Sequence, residues 1–377
     1  MKISSVVFSA TLILLCCASL TYSAQSAKNV LMSSDTVVIA SRTSYTNRGD
    51  GTLVNLSILQ WLSTRPSGAP AFLQALEAVP SLSQQQLAPS PPAKPKPAIW
   101  FLKSQNDGTY SVVPVRPGKS ILWAFPAADR GTCPGALTYP PDAPLTDKIA
   151  MELACLAAQD ISVPPMAPLA AESMVDGTHG LGTSPRVRDA FLYLAQSPSS
   201  RQKAIGIACL IADQDPVGLT LLEQHIQEIA EADLQHIVAR TLSPWQNTDP
   251  AAIKSLGRIA TGPHGTGALL FYASLALSAI HTADTLPYFR LLLDNQDRSI
   301  RQRAVGAFGQ FVMGAPVHTR ENSLTMEFMK SYPTPYASEP LWQQFPHTEP
   351  NPTDAELQAV AAFLKKWLSA HPELPQQ

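Results

Sequence analysis

Charge is scarce in this sequence. Lys and Arg number 27 and Asp and Glu 29 in 377 residues, so charged side chains make up 15% of the chain and the formal net charge is −2. Soluble domains usually carry about 25%. A protein that grips a polyanion shows a marked basic excess, and its absence argues against nucleic acid as a partner. No hydrophobic run reaches the roughly 20 residues that a permanent membrane span requires. Histidine is sparse, and no two histidines stand four apart with an acid between them, so the zincin signature is missing. His225 and His236 are eleven residues apart on separate helical stretches and read as solvated positions. There is no G-x-S-x-G nucleophile elbow. Residues Val113–Ser120 end like a phosphate loop, but the first glycine is lacking and the segment lies between strands. The glycine-rich stretches His179–Ser184 and Thr261–Gly267 read as inter-helix connections. No catalytic, cofactor-binding or metal-ligating residue is therefore assigned, and no cofactor is expected.

What the chain does have is apolar content of 45%, enough for packed cores, and proline in excess: 34 of 377 residues, about 9% against a usual 5% or so. Met1-Lys2 precedes an apolar run from Val6 to Leu20, followed by small and polar residues through Ala27. That order describes a secretory signal peptide over residues 1–26, cleaved between Ser23 and Ala27, with an uncleaved anchor as the alternative. Leu15 stands before Cys16 where a lipoprotein needs a small residue. The mature protein is expected outside the cytoplasm, periplasmic or secreted, with no stable membrane insertion. Three cysteines follow the leader. Cys209 lies in an apolar helix, where a buried thiol is the rule. Cys133 and Cys155 are left as the candidate disulfide, closing a loop at a domain junction in an oxidising compartment.

Period-two patterning dominates residues 29–128. Candidate strands are Thr36–Ser41, Leu53–Trp61, Ile99–Leu102, Tyr110–Val115 and Ser120–Phe125, with turn sequences at Asn47–Gly51 and Asn106–Gly108. Five short antiparallel strands predict a small barrel or sandwich. The Arg48-Gly49-Asp50 tripeptide reads as turn chemistry, and residues 81–97 form a proline-rich insertion of extended backbone. The stretches Ser34–Leu62 and Ala98–Val115 resemble small exported OB-like or netrin-like barrel domains. That resemblance implies a binding module, sometimes a protease inhibitor, although the cysteine framework of the inhibitory netrin-like domains is absent.

A junction over 129–184, with a helix near 145–158, leads to period-3.6 patterning. Start signals recur at Ser184-Pro185, Asp215-Pro216 and Asp249-Pro250, each a capping side chain before a proline suited to the first helical turn. Eight helices are predicted between 185 and 313: 187–196, 200–212, 217–230, 232–242, 249–260, 267–280, 285–294 and 299–313, pairing as four hairpins. Arg201–Ile207 returns as Arg301–Ala307 one hundred residues later, about three repeats of 33. Leu286–Leu293, the turn Asp294–Asp297, then Ile300-Arg301, Ala304 and Ala307-Phe308-Gly309 resemble a HEAT repeat of the phycobilin-lyase type. The resemblance implies an α-solenoid, in which Asp294 and Arg301 order the turn and the neighbouring repeat. Residues 314–352 are rich in proline and aromatics. Thr353-x-x-Glu356 is a capping box that opens an amphipathic helix over 353–370.

The fold class expected is thus α+β multidomain, a small antiparallel barrel or sandwich followed by HEAT-like helical hairpins. The function expected is an exported, non-enzymatic binding or scaffold protein that meets a protein partner on the solenoid's concave surface. The alternative is a hydrolase-like enzyme of the cell envelope with a site between the two halves, gathering Glu172, Asp176, His179 and His264.

Overall fold

The structure is a computed structural model, and it describes residues 27–48, 51–78, 97–114, 124–159, 184–229, 238–239, 241–242, 245–262, 267–314, 334–340 and 352–375. Residues 1–26, where a signal peptide is expected, the proline-rich stretch and residues 160–183 lie outside the described residues. So do most of the helix expected at 232–242 and most of 314–352. The chain divides into two compact units, 1–187 and 188–377.

The first unit begins with a short helix α1 (Ala27–Ser33) and six strands: β1 (Thr36–Arg48), β2 (Gly51–Trp61), β3 (Phe72–Ala78), β4 (Ala98–Ser104), β5 (Tyr110–Val112) and β6 (Ala124–Pro126). Five of them close a ring, β1-β2-β3-β5-β4 and back to β1, with β6 added on β4. Closure is sustained by the pleat. Val38, Ala40, Val54, Leu56, Leu73, Ala75, Trp100, Leu102 and Val112 alternate inward and form one buried cluster. The Trp100 indole donates to the Ala40 carbonyl at 3.1 Å, so the largest ring in the barrel has its polar atom satisfied. Val37, Ile39, Ile99 and Phe101 point the other way and are also buried, so β1 and β4 are covered on both faces.

Two sequence expectations are corrected here. The barrel is not wholly antiparallel, because β3 pairs β5 in parallel through Ala75–Tyr110 and Leu76–Ser111. β3 itself was not expected. Its sequence, FLQALEA, favours a helix, yet seven-residue pairing with β2 decides its state, as tertiary context does when propensity is weak.

After two short 3-10 turns, Arg130–Thr132 and Gly135–Leu137, comes helix α2 (Leu145–Ala158) at the position expected. The helices that follow are α3 (Pro185–Ala195), α4 (Ser200–Ala212), α5 (Pro216–His225), α6 (Pro250–Thr261), α7 (Gly267–Ala279), α8 (Leu286–Leu292), α9 (Arg298–Met313) and α10 (Asp354–Ser369). Their starts carry the chemistry read from the sequence. Asp215 accepts from Val217 N at 3.0 Å and Asp249 from Ala251 N at 2.8 Å, and Asp297, read from the sequence only as part of a turn, caps α9 in the same way from Ser299 N at 2.8 Å. Thr353 and Glu356 complete the capping box of α10. Gly314, at φ 67°, closes α9 in the left-handed conformation.

Packing in the second unit follows chain order and also skips. α4 packs on α5, α5 on α6, α6 on α7 and α8 on α9, while α6 also meets α8 and α7 also meets α9. α10 closes on α9. Helices α4 and α9 are buried along nearly their whole circumference. For α4 this enclosure agrees with the all-round apolarity of its sequence, which suits an internal helix covered by neighbours. Among the described residues of this unit the exposed large apolar side chains, Tyr193 and Leu291, belong to the first helices of their pairs.

Candidate functional site

The most unusual chemistry among the described residues gathers on one stripe of α2. Glu152, Cys155 and Gln159 follow one another at helical spacing, so all three side chains face the same neighbour. That neighbour is the stretch from Asp129 to Tyr139. Gln159 accepts from the Asp129 backbone N–H at 2.9 Å and donates to the Asp129 carbonyl. Cys155 is joined to Cys133 in a disulfide with a Cα separation of 5.5 Å. Glu152 takes the Arg130 guanidinium, and the Tyr139 hydroxyl donates to Glu152 Oε1 at 2.6 Å. The guanidinium also lies 4.5 Å over the Tyr139 ring. On the far side Gln60, near the end of β2, donates to the Tyr139 hydroxyl at 3.2 Å. Lys148 reaches the Leu62 carbonyl at 3.3 Å. The barrel, the 129–139 stretch and α2 thus meet at a single carboxylate.

Glu152 is 2% exposed, whereas its partner Arg130 keeps nearly half of its side chain in water. Burial pushes the Glu152 carboxyl up to about 7, because a charge removed from water is disfavoured. Burial draws the Arg130 guanidinium down in turn. Among the described residues Glu152 Oε2 has no hydrogen-bond partner. One oxygen is fully engaged and the other is idle, so the group is set to take or yield a proton near neutrality. Glu77 is a milder case at one end of the barrel. Burial raises it and Arg42, 3.5 Å away, opposes the shift.

In the second unit a row of polar groups crosses the first helices. Glu223 on α5 bonds Arg258 on α6 at 2.9 Å, and the Tyr288 phenol on α8 lies within their field. Burial raises the Tyr288 phenol. Near α10, His371 stacks on Trp367 at 4.1 Å and meets Glu339 at 3.0 Å, while the Trp367 indole donates to Glu339 at 2.7 Å.

Of the residues singled out in the sequence, Asp294 pairs with Lys365 of α10. Arg301 donates to the carbonyls of Asn295 and Gln296 at 2.7 and 2.9 Å and reaches Asp354 at 3.1 Å. Arg301 therefore orders the turn before α9, and both residues reach α10. Cys209 is buried and lies outside the disulfide. Glu172, Asp176, His179 and His264 lie outside the described residues. Arg130, Tyr139 and Glu152 were missed. The spacing of Glu152 from Cys155 on a predicted helix was the available signal.

Among the described residues no group of three or more His, Cys, Asp or Glu is placed to hold a metal, and no helix is long and apolar enough to cross a membrane. No family, curated protein or solved structure matches this chain.

Proposed function

We propose that this is an exported, non-catalytic binding or scaffold protein that receives a protein partner on its helical unit. The observation that carries the reading is the skipping pattern of helix packing. α5 on α6 and α6 on α8 join first helices to first helices, and α7 on α9 joins second to second. Stacked helical hairpins pack in that way, and such arrays serve as extended recognition surfaces. The Arg301 contacts to the turn before α9 support the HEAT-like part of the reading. The face offered is the outer row of first helices, where Leu291 is 59% exposed and Glu223, Arg258 and Tyr288 run across three helices. The strand order of the barrel, a five-membered ring with one parallel pair, supports the OB-like reading of the first unit.

The test is a comparison of two baits in the extracytoplasmic fraction, the natural chain and a Leu291→Asp, Arg258→Glu variant that keeps its circular dichroism. A partner retained by the first and weakened at least about tenfold in the second supports the proposal. Equal retention, or none by either, overturns it. A hydrolytic reading has one observation in its favour, the buried carboxyl of Glu152 near 7. Hydrolysis of ester and glycoside panels that vanishes in Glu152→Gln would replace the binding reading.

A further inference from the structure

The cover over Glu152 is thin. Residues 129–139 hold only two short 3-10 turns, most of their side chains are exposed, and Leu137 alone is buried among them. A stretch of this kind has little apolar area to keep it closed. Its fastenings to α2 are the three ties already described, to Gln159, Cys155 and Glu152. One is covalent, one is neutral and one is ionisable.

We infer that α2 and residues 129–139 form a redox-gated clasp over Glu152: the Cys133–Cys155 bond holds it shut whatever the pH, and the reduced clasp opens as pH rises. The bond is reachable, because Cys133 is half-buried while Cys155 is enclosed, so a thiolate attacks from the Cys133 side. With a dithiol reductant the Sγ–Sγ bond breaks. Its two electrons and two protons leave Cys133 and Cys155 as thiols, while the reductant closes its own disulfide.

What remains are the neutral bonds between Gln159 and Asp129, which no pH change in this range touches, and the proton-dependent tie. The groups facing Glu152 are Arg130 and Tyr139 from the cover and neutral Gln60 behind Tyr139. On α2 the nearest charges are Asp147 and Lys148, the latter turned to the Leu62 carbonyl. Closed, the Glu152 carboxyl holds its proton up to about 7; opened to water it reverts to the usual range near 4.5. The closed form therefore binds the extra proton between those two values. Closure is favoured at the acid end of the window and is lost as pH rises through neutrality.

Hydrogen exchange read by mass spectrometry on the full chain tests this at pH 5.5 and pH 8, with and without dithiothreitol, after correction for intrinsic exchange. In the reduced chain, peptides over 129–139 should open at least about tenfold more at pH 8. In the oxidised chain they should change less than twofold. Reduced Glu152→Gln, which cannot ionise, should lose the pH dependence. Barrel peptides over 53–62 and 98–104 are the internal control and should keep their protection throughout. Identical exchange in the oxidised and reduced chains overturns the clasp. So does a pH dependence that persists in Glu152→Gln, or a loss of barrel protection alongside 129–139.

Discussion

Gly257 on α6 faces the ring of Tyr288 on α8 so closely that a Cβ built on the glycine would lie 2.3 Å from ring carbons. The helices approach as they do because nothing projects from that position. Helix propensity alone favours alanine over glycine by about 1 kcal/mol. Overpacking costs about 1–3 kcal/mol and decides the sign. Gly257→Ala should therefore destabilise the second unit in urea or thermal unfolding, and Tyr288→Leu in the same chain should recover part of the loss.

Glu152 makes the first unit more stable in mild acid than at neutrality. Its folded carboxyl, near 7, lies above the unfolded value of 4.5, so its contribution is complete below 4.5 and is lost as pH rises through 7. The span amounts to as much as about 3 kcal/mol. Unfolding midpoints of the natural chain and of Glu152→Gln should diverge with pH across that window, with the variant the flatter of the two.

His371 should also titrate above its ordinary value. Burial works against its charge, but the Trp367 carbonyl and the Glu339 carboxylate outweigh burial. A raised histidine stabilises at pH values below its unfolded value near 6.5 and loses that effect as pH climbs past its folded one. Proton NMR of the ring in Glu339→Gln should show the titration moving down.

The capping box of α10 offers a cleaner measurement. Thr353→Ala removes the hydroxyl oxygen that accepts from the Glu356 N–H and should cost about 1 kcal/mol in chemical unfolding, whereas Thr353→Asp should cost little.

Much of this architecture was legible in the sequence because local signals and final contacts agreed. The Asp-Pro helix starts at 215–216 and 249–250, the box at 353–356 and the run 200–212 were read within a residue or so. There the same side chains that cap or fill a helix also define it. β3 escaped because Leu, Gln, Ala and Glu carry a helical preference that only the Gly51–Ala78 to Ser57–Phe72 register with β2 overrides. The Glu152 cluster escaped for a different reason. Arg130 and Tyr139 lie 22 and 13 residues before it, with no periodic pattern linking them, and only the fold brings such groups together. Enclosure of α4 was visible in the all-round apolarity of 200–212, whereas α9 is buried although its sequence carries Arg303, Gln302 and Gln310.

The parallel seam between β3 and β5 joins just two residue pairs, against seven between β2 and β3. A cylinder fails at its narrowest weld. Thermal or mechanical stress should split this barrel along that line, leaving β1, β2 and β4 still laced together, and a foreign peptide strand would find its point of entry there.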